Sequence, residues 1–554
     1  MKTANVSKRL LAALLAALMF IGMLPFGALS FTAQAAEVTG ASLASVPAVR
    51  GDVTSASGAF TLTSQSRFYI VSDTDPTGTA LGTYVQTASS EFAAEGKPVG
   101  TTLPIVYGAE TNAAEGDIVI KVDASLGKSE MYNLTVTSSN IEVAASDAAG
   151  VLHALHTVLQ SLVNGSTNSL ACVTASDWPD VSERSVYLDC GRIFFSVDSV
   201  KAMIRTLSWN KMNVLYLDFS NNNATRFFLN SMNVTVDGTT YDITKAKPSD
   251  GYWNEDNMNE ILAEAYKYGV EIIPTFNSPG HIGGLRSVNT SFFASKSASD
   301  YDSGTGKVAL NISNDASYSF GQQVVKLYVD YFCSKGCKNF NIAADEATDA
   351  IDGLDSTGSV FVNYVNDLNT YIKSKGMKTR MFNDAIKSVS DGVSSDITVL
   401  FWTPSTPSPE DLVLAGYDVV NFDWEYLYYA HGASDYWNCN VSKMYAWNPG
   451  AFKDSTTSSG YNADYNSGKQ PAYSFSSNSS HGKIVGANFA IWTDFAHTAN
   501  QNGEDVLKEK SCKYQNGSYG LRYKIYILAE RGWSRTTDSV SYDTWKAGVI
   551  NAPA

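Results

Sequence analysis

The 554-residue chain is poor in cysteine, in basic charge and in long apolar runs, and each shortage excludes a class of protein. Its six cysteines, Cys172, Cys190, Cys333, Cys337, Cys439 and Cys512, make no CxxC pair and no zinc-ligand spacing. Six in so long a chain is no disulfide scaffold, so most are expected as buried thiols. Cys333 and Cys337 can pair only if a helix ends between them. Lys plus Arg total 40 against 55 Asp plus Glu, a formal charge of −15. Such a chain matches nucleic acid badly and is repelled by anionic lipid, whereas a neutral ligand is indifferent to that field. Beyond the first residues no segment is apolar enough to span a bilayer. No long stretch has the composition of disorder, and no repeat is visible beyond a strand–helix rhythm.

What is present is a large apolar fraction, 44%, and 12% aromatics. The length implies two or three domains. At the start, Lys2, Lys8 and Arg9 precede an apolar run from Leu10 to Leu24, then Pro25, Gly27 and Ala33-Gln34-Ala35. This reads as a signal peptide over residues 1–36, with an uncleaved anchor as the alternative. A secreted mature chain without a membrane span is therefore expected. Residues 37–178 read as a Ser/Ala/Thr/Gly-rich lead-in to about residue 60, then a small α+β domain. Its strands are expected at 117–122, 132–136 and 141–143, and its helix at 149–162.

After Pro179 strands and helices alternate. Strands are expected at 185–189, 214–218, 270–274, 339–343, 378–382, 397–402, 418–422 and 485–492. Eight such repeats over 179–554 predict a (β/α)8 TIM barrel, with the active site at the C-terminal ends of the strands. The text after those strands is therefore the informative part. It offers Asp189 and Arg192, then Asn277 to His281, then Asp345-Glu346, then Asn383-Asp384. Trp402, the cluster Tyr426, Tyr428 and Tyr429, and finally Trp492 and Asp494 follow. Acids, one Arg, one His and several aromatics converge on one rim. The long 426–483 segment between the last two strands is expected to be functional or mobile.

In order and spacing these fragments resemble glycoside hydrolase family 20, the β-N-acetylhexosaminidases. Asp147-Ala148-Ala149-Gly150-Val151 is similar to the end of that family's N-terminal domain. Leu188 to Arg192 is similar to its first barrel strand, and Lys211-Met212-Asn213 to the text before its second. Ser278-Pro279-Gly280-His281 is similar to its third-strand turn, and Ala529 to Trp533 to its closing helix. The family's Gly-Gly-Asp-Glu reads Ala343-Ala344-Asp345-Glu346 here, a small-for-small change expected to narrow the pocket slightly. The stretch after the second strand differs too. Asn221, Asn222 and Asn223 stand where many members carry an acid that backs the histidine.

Adjacent acids cannot easily flank a sugar from opposite faces, as the two carboxylates about 5 Å apart of most retaining glycosidases do. A 2-acetamido sugar removes that need, because its own carbonyl oxygen can attack C1. The resemblance implies a secreted, retaining exo-enzyme that removes terminal β-linked GlcNAc or GalNAc through an oxazolinium. Asp345 would orient the acetamide, Tyr428 would hold its oxygen, and Glu346 would be the general acid/base, with its pKa raised to keep the proton. Arg192 and Asp494 would bind ring hydroxyls, His281 would tune Glu346, and Trp402 and Trp492 would wall the sugar. The partners implied are β-N-acetylhexosaminyl glycans, with no metal or organic cofactor. A lacto-N-biosidase releasing a disaccharide and an inactive sugar-binding relative are the alternatives. An Asp-Glu pair can also merely decorate a helix start.

Overall fold

The structure, a computed structural model, describes residues 40–222, 224–294, 308–347, 358–403, 407–430, 441–450, 452, 482–498, 502–507 and 521–534. Residues 1–39, where the signal peptide was expected, Asn223, Cys439, Cys512 and most of the 426–483 segment lie outside them.

The N-terminal layer is a seven-stranded sheet. Its strands are β1 (Val53–Thr61), β2 (Phe68–Val71), β3 (Ile105–Gly108), β4 (Ile118–Val122), β5 (Tyr132–Val136), β6 (Ile141–Ala145) and β7 (Ser169–Asp177), in the order β1-β7-β5-β6-β4-β2-β3. Helices α1 (Ala80–Ala94) and α2 (Ala148–Asn164) pack on it. Strand β5 alternates buried Tyr132, Leu134 and Val136 with half-buried neighbours, the period of a sheet with one core face. Asp147 starts α2 by accepting the Gly150 N–H at 2.9 Å. The lead-in departs from expectation, because its second half is edge strand β1. Most of β1 faces solvent, so its small polar residues carry no apolar alternation to read. Its ladder to β7 is interrupted between Ser55 and Ala59, where Gly58 adopts a positive φ of 97°.

Eight parallel strands then close a barrel. They are β8 (Glu183–Asp189), β9 (Val214–Asp218), β10 (Glu271–Thr275), β11 (Asn339–Asn341), β12 (Lys378–Phe382), β13 (Thr398–Phe401), β14 (Val419–Asn421) and β15 (Ile484–Trp492). Pairing of β14 with β15 completes the ring. Each strand is covered on both faces. Alternate residues Tyr187, Tyr216, Ile273, Phe382, Leu400, Val420 and Ala490 fill the barrel. Their neighbours, such as Leu188, Leu217, Ile272, Met381 and Phe489, pack in the outer core. That two-sided burial explains why the strands read as near-continuous apolar runs. The outer helices include α3 (Val197–Trp209), capped by Ser196 as expected, α4 (Glu255–Lys267), α5 (Asp315–Ser334), α6 (Ser359–Ser374) and α7 (Leu521–Trp533). Cys172 and Cys190 are buried thiols. Cys333 and Cys337 are also free; Cys333, in the last turn of α5, donates instead to the Lys375 carbonyl at 3.3 Å.

Sheet and barrel share helix α2, which is buried along almost its whole length. Its far side meets the barrel through polar groups. Glu130 forms an ion pair with Arg184 of β8, and takes His153 of α2 at 2.8 Å and the Asn213 amide at 3.0 Å. Asp177 accepts from Tyr132 at 2.6 Å, Lys211 at 3.0 Å and the Trp533 indole at 2.7 Å. Burial works against the Glu130 charge, but Arg184 and His153 outweigh it and hold the carboxyl down at about 2. Glu130→Ala leaves the buried Arg184 uncompensated and should cost about 3–5 kcal/mol, read as a fall in the urea midpoint.

Candidate active site

The C-terminal strand ends converge on a pocket of about 220 Å³. It is lined by Arg192, His281, Asp345, Glu346, Trp402, Tyr428, Ala430, Trp492, Asp494 and Phe495. The structure thus brings together all eight residues singled out from the sequence. Ala430 and Phe495 are additional, and Phe495 is 39% exposed.

The acid pair sits on the turn that follows β11. Ala343, Ala344 and Glu346 have φ of 54°, 56° and 49°, all in the left-handed region. Alanine there costs roughly 1 kcal/mol per position, a strain that glycine avoids. Neither alanine methyl lines the pocket, so the expected narrowing is not seen; the change acts on the backbone. The turn aims the two carboxyls differently. Asp345 is buried, and Oδ1 accepts the Asn277 amide at 2.5 Å. Glu346 is more open, and Oε2 lies 3.1 Å from His281 Nε2. The other His281 nitrogen, Nδ1, meets Asn222 Oδ1 in a short hydrogen bond. Asn222 therefore supports the histidine where an acid was expected to be missed. An amide oxygen accepts the Nδ1 proton and directs Nε2 at Glu346, but it brings no charge.

Arg192 is held between two carboxylates. Its Nη1 donates to Asp189 Oδ2 at 2.7 Å and its Nη2 lies 3.1 Å from Asp494 Oδ1. The guanidinium stands 5.5 Å over the Trp492 ring. Thr493, just past β15, donates its hydroxyl to Asp189 at 2.8 Å, which ties the first strand end to the last. The pocket wall is aromatic. The Trp402 and Tyr428 rings are near-parallel at 10°, and Tyr428 meets Trp492 at 5.5 Å between centroids. A sugar presents apolar C–H faces that suit such walls.

Several functional neighbours were not assigned a role from the sequence. Asp384, after β12, accepts the Glu346 backbone N–H at 2.7 Å and the Trp402 indole N–H at 3.0 Å. Asp218 ends β9 in register with Asp189 of β8. It accepts from Tyr187 at 2.8 Å and from Asn221 at 2.8 Å. The sequence signal for these acids was their place at or just past the C-terminal end of a strand.

Burial shapes the site's titration. It pushes Asp345 up, helped by the Glu346 charge and opposed by His281. It pushes Asp384 up to about 6, with the Asp345 charge next in size. Tyr428 is driven well above its ordinary value by burial and then by the Asp345, Asp384 and Glu346 charges, so its phenol stays a neutral donor. For His281 burial favours the neutral ring, but Asp345 and Glu346 outweigh it and raise its pKa. Asp218 rises to about 8, by burial and then by the charge of Asp189.

The family model described as glycosyl hydrolase family 20, catalytic domain, matches residues 182–507, and that of its domain 2 matches residues 46–178. The chain is 25% identical over 502 residues to a lacto-N-biosidase of Bifidobacterium bifidum, covering 85% of this chain and 40% of that protein. It is 26% identical over 315 residues to β-hexosaminidase subunit A1 of Dictyostelium discoideum, covering 54% of this chain and 57% of that one. The chain thus spans about half the length, or less, of these relatives. Among solved structures, a β-N-acetylhexosaminidase from Bacteroides fragilis superposes with a TM-score of 0.65 at 18% identity, over 92% of this chain and 94% of that one. The family 20 β-N-acetylhexosaminidase of Streptomyces coelicolor gives 0.65 at 18%, over 92% and 95%. These likenesses show the fold.

Asp218 takes up a proton on folding near neutral pH. Its contribution to stability is full below the ordinary value of 3.8 and is lost as pH rises through about 8. Asp218→Asn keeps a donor where the neutral acid has its O–H and removes that loss. Its thermal midpoint relative to the unsubstituted protein should therefore rise from about pH 5 to about pH 8, measured by differential scanning calorimetry.

Proposed function

The chain belongs to glycosyl hydrolase family 20, and from that premise we propose that it is a secreted exo-β-N-acetylhexosaminidase with a retaining, substrate-assisted mechanism. The observation that carries this reading is the acid pair on one turn, with one carboxyl buried and one open, facing a single aromatic-walled pocket. No second carboxyl need stand across the sugar if the substrate supplies its own nucleophile.

The terminal sugar sits between Trp402, Tyr428 and Trp492, with its hydroxyls toward Arg192 and Asp494. Its acetamide lies against Asp345 and Tyr428. The acetamide carbonyl oxygen attacks C1 as the glycosidic C–O bond breaks, and Glu346 gives its proton to the departing oxygen. Asp345 accepts a hydrogen bond from the acetamide N–H as positive charge develops there, and the Tyr428 O–H donates to the acetamide oxygen. The ionised Glu346 then takes a proton from water, whose oxygen attacks C1 and opens the oxazolinium. Two displacements at C1 retain the β configuration.

A second reading is supported by the lacto-N-biosidase similarity, which spans 85% of the chain. Asp494 is also 44% exposed by side chain, beside the exposed Phe495 in the pocket lining, the open side that a further sugar would require. Chromogenic β-GlcNAc, β-GalNAc and lacto-N-bioside substrates separate the two. Cleavage of either monosaccharide glycoside is expected; cleavage of the lacto-N-bioside alone supports the second reading. If none is cleaved, the chain is a sugar-binding relative.

Glu346→Gln should lower kcat by about 10²–10⁴-fold on substrates with poor leaving groups, and far less on activated aryl glycosides. Tyr428→Phe should lower kcat by roughly 10²-fold with a smaller change in KM. A thiazoline analogue of the oxazolinium should bind much more tightly than the product sugar, measured by inhibition kinetics. A covalent glycosyl ester trapped on the protein would refute the mechanism.

A further inference from the structure

Asp384 has no role in the mechanism above, yet its side chain holds both the acid-bearing turn and the pocket wall. Its Oδ2 accepts the Glu346 backbone N–H at 2.7 Å, and its Oδ1 accepts the Trp402 indole N–H at 3.0 Å. Glu346 has a positive φ, so its peptide needs an outside partner to stay aimed. The β12 end itself is braced by Asn383, whose Oδ1 accepts the Trp402 backbone N–H at 2.8 Å and whose amide donates to the Thr403 carbonyl at 2.8 Å. Trp402 is thus pinned by its backbone to one residue of this pair and by its ring to the next.

We propose that Asp384 is a positioning residue that, as an acceptor on both oxygens, sets the Glu346 backbone and the Trp402 ring at one fixed separation across the sugar pocket. The proposal rests on the hydrolase reading above. Its chemistry is specific to a carboxylate. Two N–H donors approach two different oxygens, and an amide in the same place offers only one acceptor. Its NH2 group would face the other donor.

The charge of Asp384 has a second consequence, because it faces the acid pair. Asp345 and Glu346 lie on one side, with His281 and Arg192 beyond them, and the Tyr428 phenol faces the same space. The Lys387 ammonium donates to the Asp384 backbone carbonyl at 2.9 Å on the outer side. An anionic Asp384 disfavours a second anion at Glu346 and so helps it keep the proton it must deliver.

The test compares Asp384→Asn and Asp384→Ala with the unsubstituted full chain on an aryl β-GlcNAc glycoside. Asp384→Asn should still fold, with a modest fall in thermal midpoint, lose roughly 100-fold in kcat and change KM less. The basic limb of its kcat/KM profile should move to lower pH, because a negative charge beside the proton donor is gone; a merely structural residue would not move that limb. Asp384→Ala should show the same displaced limb. A parallel measurement needs no turnover: the Trp402 indole N–H resonance, assigned with Trp402→Phe, should titrate with pH in the unsubstituted protein and cease to do so in Asp384→Asn. Retention of kcat and of the pH limb within about twofold in Asp384→Asn would overturn the proposal, as would an indole resonance indifferent to the substitution. If the unsubstituted chain cleaves no N-acetylhexosaminide, the hydrolase reading fails, while the indole titration still decides whether Asp384 is the clamp.

Discussion

Two carboxyl groups on consecutive residues can serve different tasks only if the backbone between them turns sharply, and that constraint organises this site. The turn after β11 meets it with three left-handed residues, two of them alanine. A conformation so unfavourable persists only where its surroundings over-determine it. They do so here: Asn277 holds the Asp345 carboxyl, Asp384 holds the Glu346 amide, and His281 holds the Glu346 carboxyl. Asn277 and His281 come from the segment after β10 and Asp384 from the end of β12, the two strands that flank β11. The barrel is therefore the device that keeps a strained four-residue turn in place.

The same convergence crowds acids together. Asp189, Asp218, Asp345, Glu346 and Asp384 meet around Arg192 and His281. Cations are too few to neutralise every carboxyl in so dry a space, so protons are retained. Asp218 stays neutral beneath the pocket, and Arg192 is left to pair with Asp189 and Asp494. The charged pair of Arg192 and Asp494 then lines the pocket, with Asp494 partly exposed.

Much of this was legible in the amino-acid sequence. The barrel strands are covered on both faces, so they stand out as apolar runs, and the residues just after them could be read off in order. Strand β1 was not legible because an edge strand whose side chains face water has no buried face to mark it. Asp384 was visible as an acid after a strand, but its two donors belong to residues 346 and 402, which only the closed barrel brings to it. Asn222 was read as a lost charge, whereas hydrogen-bond geometry needs only an acceptor oxygen. The alanines at 343 and 344 were weighed by volume, and the structure makes them a matter of φ.

Helix α2 has no free face, and this bears on the order in which the molecule can form. Its sheet-facing side can be covered as soon as the first 177 residues exist. Its other side waits for the barrel, and the Asp177 carboxylate waits for the Trp533 indole, 356 positions further along the chain. A growing polypeptide therefore carries a half-finished N-terminal layer until nearly the whole chain has been synthesised. Contacts of such long sequence separation are slow to close and leave apolar surface open meanwhile. Among the described residues, the N-terminal layer and the barrel therefore complete one another only once α7 is in place.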